Sequence, residues 1–115
     1  MNSPQIDLQT FTELQANAGA DFVVELVGTF ADDAPQMLAE LRASHAAGAA
    51  DRFRRAAHSI KSNSSTFGAS RLAEMARSLE LGGLPAEAAP IDALAEELAR
   101  SVQALKALAA EAGGG

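Results

Sequence analysis

Two histidines, His45 and His58, are the side chains of this sequence best suited to chemistry near neutral pH. The 115 residues contain no cysteine, which excludes disulfides, thiolate chemistry and zinc or iron–sulfur sites with cysteine ligands. Two histidines are too few for a histidine-rich metal site, and neither a glycine-rich phosphate loop nor a His-Glu-x-x-His motif is present. The sequence therefore predicts no cofactor and no metal ion, and it gives no support for a stand-alone kinase or hydrolase.

His58 falls on the polar side of a predicted helix. With Phe53 as the origin and about 100° per residue, His58 lies about 140° away. The other positions predicted to face inward lie within about 60° of the origin, namely Ala56, Ala57, Ile60, Ser64 and Phe67. The polar side chains on the same side as the histidine are Arg54, Lys61, Ser62 and Ser65. We therefore expect an exposed imidazole with a cation one turn before it and another one turn after it.

An exposed, neutral imidazole is a good nucleophile toward phosphorus. Neighbouring cations disfavour the imidazolium form, and the same charges stabilise phosphoryl oxygens after transfer. The pattern favours phosphoryl chemistry at His58, and it leaves open the alternative of a surface histidine on a basic helix face. His45 continues an apolar stripe four residues after Leu41, which predicts a packed or half-exposed residue at a helix end.

The charge of the chain is unevenly distributed. The formal net charge is −6, which argues against a general nucleic-acid binder. From Arg52 to Arg77 there are six basic residues and one acidic residue, whereas the rest of the chain has three basic and fourteen acidic residues. This basic segment on an acidic protein predicts a small acidic partner or an anion.

Apolar positions recur at helical spacing through almost the whole chain, and the 27 alanines favour helices over strands. The predicted helices run from Leu8 to about Ala16, from about Asp21 to Ala47, from about Ala50 to Phe67, from about Ala69 to Leu81, and from an opening turn with Pro85 and Pro90 through Leu108. The apolar face of the first helix is expected to consist of Leu8, Phe11 and Leu14. Residues 113–115 are expected to form a frayed glycine tail. We expect Asp7 to cap the first helix, Pro35 to kink the second and Gly68 to end the third.

These elements predict an all-α fold, an antiparallel four-helix bundle in up-down-up-down order with the short first helix as an addition. No linker is long enough to separate domains, so residues 1–115 are expected to form one domain. No apolar run approaches 18 residues, and the amino terminus lacks the layout of a signal peptide. We therefore expect a protein in the cytoplasm that does not bind membranes, and we expect the bundle to be monomeric. The initial methionine and the glycine-rich end favour a free-standing protein over a piece of a hybrid kinase, an alternative that the sequence leaves open.

The stretch that begins at His58 has a distinctive spacing. It is HSIKSNSSTFGA: a histidine, an aliphatic residue two positions later, lysine three later, a small residue four later, a serine-rich stretch and Gly-Ala. Leu72 and the pair Leu79-Glu80 follow on the next helix. This pattern resembles the signature of histidine-containing phosphotransfer (HPt) domains, and the upstream segment FADDAP at 30–35 resembles the family's long second helix. The resemblance covers nearly the whole chain.

The resemblance implies a carrier of phosphoryl groups between proteins rather than an enzyme. It implies that His58 accepts the group from a receiver-domain aspartate and passes it to another receiver. Lys61 would bind phosphoryl oxygens, and Ser62, where many members have glycine, would permit close approach. The residues expected to contact the partner are Arg54, Arg55 and Ser65. The partners would be response-regulator receiver domains or a hybrid sensor histidine kinase, and the magnesium would belong to the receiver. The sequence places no cluster of carboxylates near His58, and Asp51 is the one acidic candidate there.

A second interpretation is a helical bundle that binds a receiver domain without phosphoryl transfer. A degenerate member of the family would be expected to lose the histidine or the lysine of the signature. His58 and Lys61 are both present, so phosphoryl transfer is the favoured function.

Overall fold

Five α-helices make up most of the chain. The computed structural model describes residues 4–113, and its helices are α1 Leu8–Ala18, α2 Ala20–Ala46, α3 Ala50–Thr66, α4 Ser70–Gly82 and α5 Ala89–Gly113. No β-strand occurs between residues 4 and 113, so the predicted all-α fold is confirmed. Gly113 belongs to α5, and the rest of the predicted frayed tail, Gly114 and Gly115, lies outside the described residues.

The start of α1 and the end of α3 meet at a glycine. Asp7 caps α1, because its carboxylate accepts a hydrogen bond from the backbone N–H of Gln9 at 3.1 Å. Gly68 follows α3 with a positive φ of 76°, and its carbonyl accepts a 2.6 Å hydrogen bond from the N–H of Asp7. A Cβ at position 68 would lie 2.8 Å from the Asp7 carbonyl oxygen. Glycine is therefore required here both for the backbone conformation and for the close approach.

The three prolines of the helical region differ in their effects. α2 continues through Pro35 as one helix, and the kink predicted there stays a prediction. The prediction for Pro85 is wrong, because α5 begins at Ala89 and leaves Pro85 in the connection before it. Gly83 adopts a positive φ of 75°, which takes the chain off a helical path ahead of Pro85. Pro90 lies in the first turn of α5, where its missing N–H costs no hydrogen bond.

Helix α3 buries one face completely. All the positions predicted to face inward from it are buried, namely Phe53, Ala56, Ala57, Ile60, Ser64 and Phe67. Ser64 is the polar member of this stripe, and its hydroxyl donates a 2.6 Å hydrogen bond to the carbonyl oxygen of Ile60. Burial of this face fixes the rotation of α3 about its axis, and that rotation turns His58 to the surface.

Helix α3 also contacts most of the other helices. It packs against α2 and α4, while α5 packs against α2 and α4, and α1 lies against α2 and α3. The four longer helices thereby enclose a common apolar core. Over residues 4–113, no helix combines the length and the apolar character needed to cross a membrane.

The prediction that Leu8 contributes to the apolar face of α1 is wrong. Leu8 is 59% exposed, whereas Phe11 is buried and Leu14 packs partly against the core. A spacing of three residues rotates each side chain about 60° from the previous one on a helix with 3.6 residues per turn. Leu8 and Leu14 therefore lie on opposite sides of Phe11, and only the Leu14 side faces the other helices.

A buried carboxylate in α5 was not predicted from the sequence. Glu97 is 1% exposed, on the face of α5 that otherwise presents apolar side chains to the core. Its carboxylate accepts hydrogen bonds from Gln5 Nε2 at 3.2 Å and from Ser101 Oγ at 3.1 Å. The carboxylate also pairs with Arg100 at 3.4 Å and with Arg71 of α4 at 3.7 Å, so the buried charge has cationic partners. The bond from Gln5 ties the segment before α1 to the last helix.

Candidate functional site

His58 lies near the middle of α3 with its side chain 54% exposed, as its place on the polar side of the helix predicted. Its Nδ1 atom is 2.6 Å from Oε2 of Glu80, a residue of the neighbouring helix α4. Its Nε2 atom is 3.4 Å from the hydroxyl oxygen of Ser62, one turn further along α3. The two ring nitrogens therefore have different surroundings, a short contact at Nδ1 and a long one at Nε2.

Glu80 joins the histidine to the predicted phosphoryl-binding lysine. Its Oε1 atom lies 2.8 Å from Nζ of Lys61, while its Oε2 atom contacts the ring of His58. The side chain of Glu80 is 11% exposed and that of Lys61 is 28% exposed. One carboxylate thus holds both side chains of α3 from the adjacent helix.

The prediction from the sequence missed this role of Glu80. It included no carboxylate near His58 except Asp51 as a candidate, but Asp51 instead pairs with Arg54 at 2.8 Å and with Arg55 at 3.3 Å. Because three residues connect α3 to α4 and the two helices pack together, positions at similar distances from the turn meet. Glu80 lies twelve residues after Gly68 and His58 lies ten residues before it, so the two residues face each other across the turn. The Leu79-Glu80 pair of the signature was the feature of the sequence from which this contact could have been predicted.

The carboxyl group of Glu80 is stabilised in its ionised form. The contact with the Lys61 ammonium, which is the largest effect, lowers the pKa of Glu80 below its ordinary value. Desolvation opposes this by raising the pKa, and the contact with His58 lowers it further. At neutral pH Glu80 is therefore a carboxylate, which accepts hydrogen bonds and donates none.

The contact with a carboxylate determines which nitrogen of the His58 ring holds the proton. Because Oε2 of Glu80 accepts the hydrogen bond, Nδ1 must donate it. In a neutral imidazole the other nitrogen, Nε2, then holds the free lone pair. The geometry therefore leaves the lone pair of a neutral ring on Nε2, with the Ser62 hydroxyl beside it.

The predicted partner-contacting residues lie along the same helix. Arg54 and Arg55 are exposed one turn before His58, and both pair with Asp51 in the first turn of α3. Ser65 is exposed on the turn that follows Lys61. The structure thus places Lys61, Ser62 and Glu80 around the ring and leaves the two arginines as a separate ion-paired group.

The basic segment is largely neutralised by ion pairs. Besides the group around Asp51, the pairs within it are Arg52 with Glu40 at 2.9 Å, Lys61 with Glu80 at 2.8 Å and Arg71 with Glu97 at 3.7 Å. Within residues 4–113, Arg77 is the basic residue of the segment that makes no ion pair. The positive field of this segment is therefore weaker than the charge count predicted, because the neutralising carboxylates come from other helices or from the first turn of α3.

His45 has the packed position predicted for it. It is partly buried near the end of α2, with its ring centroid 6.0 Å from that of Phe53. Its Nε2 atom lies 2.8 Å from the carbonyl oxygen of Pro85. Since a carbonyl oxygen only accepts, Nε2 of His45 donates in this contact and has no free lone pair for attack.

Comparisons with known proteins agree with this arrangement. A sequence model of the family described as "Hpt domain" matches residues 25–108. Among solved structures, the crystal structure of histidine-containing phosphotransfer protein B (HptB) from Pseudomonas aeruginosa PAO1 is similar, with a TM-score of 0.73 and 31% sequence identity over 96% of this chain and 95% of that one. The search of curated proteins gave no match.

Proposed function

The chain belongs to the Hpt domain family and is a histidine phosphotransfer protein of a phosphorelay, and from this premise we propose that His58 is the residue that carries the phosphoryl group. The observation that supports this choice is the 2.6 Å contact between His58 Nδ1 and the Glu80 carboxylate. It leaves the lone pair of an exposed imidazole on Nε2, whereas Nε2 of His45 is engaged with a backbone carbonyl.

The proposed reaction is a displacement at phosphorus. The Nε2 lone pair attacks the phosphorus of an aspartyl phosphate on a receiver domain, the N–P bond forms, and the P–O bond to the aspartate breaks and releases its carboxylate. The ring keeps its proton on Nδ1 and becomes positively charged as the bond forms. Glu80 faces that proton at 2.6 Å, so its carboxylate stabilises the developing charge without accepting the proton.

Lys61 and Ser62 complete the surroundings of the phosphoryl group in this proposal. The Lys61 ammonium lies 2.8 Å from Glu80 on a long, flexible stem, which lets it turn from the carboxylate to phosphoryl oxygens. Ser62 is small, so a receiver surface can approach Nε2 closely. Neither side chain supplies the nucleophile, and both act on the group that the nucleophile receives.

The partner that fits this site is a protein that brings its own phosphoryl group. We propose that receiver domains of response regulators, or of a hybrid sensor histidine kinase, dock over α3 around His58. Arg54, Arg55 and Ser65 would contact the acidic rim of the receiver. The receiver would supply the magnesium ion and most of the catalytic groups, so this chain acts as a phosphocarrier.

The arrangement of helices suits such a carrier. We propose that α2 to α5 form an up-down-up-down antiparallel bundle that acts as one monomeric domain, with α1 as an addition at one end. Short connections between successive helices and the packing of α5 against both α2 and α4 support this topology. Such a bundle would keep the α3 surface around His58 uncovered.

A phosphotransfer assay with a labelled receiver tests the assignment of His58. The wild-type protein is expected to take label in an acid-labile linkage, the His58→Gln variant to take none, and the His45→Gln variant to behave like wild type. Glutamine is neutral and a good helix former, so circular dichroism of His58→Gln should match wild type. Acid-labile label on His58→Gln, together with its loss from His45→Gln, would overturn the assignment. A wild-type protein that binds the receiver without accepting label from it would instead support the interaction-module interpretation.

A further inference from the structure

The hydroxyl of Ser62 is placed differently from those of three other serine and threonine residues in the helices. In Ser44, Ser64 and Thr66 the side-chain hydroxyl donates to the backbone carbonyl four residues earlier, at 2.8, 2.6 and 3.0 Å. This is the usual local bond of serine and threonine inside helices. The polar contact of Ser62 Oγ is instead with Nε2 of the His58 ring, at 3.4 Å.

We propose that the Ser62 hydroxyl donates a hydrogen bond to the phosphoryl group on His58 and thereby shifts the transfer equilibrium toward the phosphorylated form of this protein. The inference rests on the proposed function and extends it, since Ser62 otherwise acts only through its small size.

The sign of the effect follows from the two states of the ring. In the resting state Nε2 is a neutral acceptor, and at 3.4 Å the hydroxyl makes at most a weak hydrogen bond to it. After transfer, phosphorus occupies the Nε2 lone pair, and charged phosphoryl oxygens project beside it. A hydroxyl that rotates between staggered χ1 positions can then donate to one of these oxygens, and hydrogen bonds to charged acceptors are shorter and stronger. The hydroxyl therefore stabilises the phosphorylated state more than the resting state.

The same geometry argues against Ser62 as a second acceptor. Displacement at phosphorus requires the attacking atom to lie opposite the leaving atom. Ser62 Oγ lies beside Nε2 on the same helix, which is the side of the leaving nitrogen. The phosphoryl group therefore cannot pass from His58 to Ser62 by in-line attack, and no acid-stable phosphoserine is expected.

The test compares Ser62→Ala and Ser62→Gly with wild type. The quantity measured is the equilibrium constant for transfer between a phosphorylated receiver and this protein, obtained from the forward and reverse rates. Loss of one hydrogen bond predicts an equilibrium about 2- to 10-fold less favourable to phosphohistidine in both variants. Ser78→Ala, at an exposed serine of α4 outside the proposed site, is the control and is expected to match wild type.

Two outcomes would overturn the inference. One is an unchanged equilibrium constant in Ser62→Ala and Ser62→Gly while both proteins take label on His58. The other is acid-stable label that disappears in Ser62→Ala, which would make Ser62 an acceptor. A wild-type protein that takes no label would instead reject the proposed function, so the two failures are distinguishable. Alanine is a better helix former than serine, and the position is exposed, so the variant is expected to fold.

Discussion

Oε2 of Glu80 lies 2.6 Å from Nδ1 of His58, so a side chain of α4 holds the ring of a residue on α3. The sequence predicted cations on both sides of the ring, and it is a carboxylate that contacts the ring directly. The cation that follows the ring on α3, Lys61, is paired with the other oxygen of the same carboxylate. The state of the ring therefore depends on a contact between two helices, and the first two predictions address that contact.

Replacing Glu80 should change the tautomer of His58 and slow its phosphorylation. In Glu80→Ala, Nδ1 loses its acceptor, and the ring is expected to populate the tautomer with the proton on Nε2, which blocks the nucleophilic lone pair. In metal sites the loss of a partner that orients a histidine costs about 10- to 100-fold, and we expect a loss of about 10-fold here. Nitrogen-15 NMR of the ring reports the tautomer, and the transfer assay reports the rate.

Glu80→Gln and Glu74→Gln serve as the matched comparisons for this prediction. Glutamine at position 80 keeps an oxygen that can accept from Nδ1 but has no charge, so an intermediate rate with the wild-type tautomer is expected. Glu74 is exposed on the same helix and makes no ion pair within residues 4–113, so its variant should match wild type. If the His58 ring of Glu80→Ala has the wild-type NMR spectrum and the variant is phosphorylated at the wild-type rate, then Glu80 does not orient the ring.

The ion pair of Glu80 should also appear in the acid stability of the protein. The pKa of Glu80 is lowered from an ordinary value of 4.5, chiefly by Lys61. A group with a lowered folded-state pKa stabilises the fold fully above its unfolded-state value, and this contribution is lost as the pH falls through the folded-state pKa. The stability difference between wild type and Glu80→Gln should therefore be present above pH 4.5 and shrink as the pH falls below it. Urea denaturation of both proteins across this range measures it, and a difference that grows toward low pH would contradict the prediction.

The sequence was sufficient to predict the elements of the site but not all of its contacts. The apolar spacing of α3 predicted which face is buried, and with it the exposure of His58, because periodicity within one helix depends on that helix alone. The contact with Glu80 depends on how α4 lies against α3, which periodicity does not report. Glu97 was missed for a related reason, since its partners include Arg71 on α4 and Gln5, which is 92 residues away in the chain.

Lys61→Ala should slow phosphorylation of His58 without abolishing it. The substitution removes one charge from the surroundings of the phosphoryl group and leaves the nucleophile in place. Removing one such contact at a buried site costs about 10²–10³ in rate, and because salt screens a surface charge we expect a loss nearer to 10-fold. The rate is measured at low and at high salt, with the exposed Lys106→Ala of α5 as the control. Complete loss of labelling in a folded Lys61→Ala protein would contradict this assignment of roles.

The arginines before His58 should affect docking rather than chemistry. Arg54→Ala or Arg55→Ala is expected to weaken receiver binding, more at low salt than at high salt. Asp51→Asn should have the opposite effect, because it removes the carboxylate that neutralises both arginines. Because these charges are exposed, we expect each substitution to change the dissociation constant of the receiver complex by about two- to five-fold. Calorimetric titration with the receiver measures these dissociation constants, and Arg42→Ala on α2 controls for the change in overall charge. Weaker binding by Asp51→Asn would show that these arginines do not face the receiver.

Gly68→Ala should destabilise the fold more than Gly48→Ala, although both glycines have a positive φ, of 76° and 66° respectively. Alanine in the left-handed conformation costs about 1–2 kcal/mol at either position. At position 48 the added Cβ meets no atom within 4 Å, whereas at 68 it would lie 2.8 Å from the Asp7 carbonyl oxygen. Since Asp7 caps α1, relief of this clash must move the start of that helix, which should add about 1–3 kcal/mol to the cost at position 68. Urea denaturation measures the free energy of unfolding of both variants. Equal losses in the two variants would show that the segment before α1 can shift without destabilising the fold. His58 lies on the opposite side of α3 from the core, so Gly68→Ala protein that remains folded should still accept label.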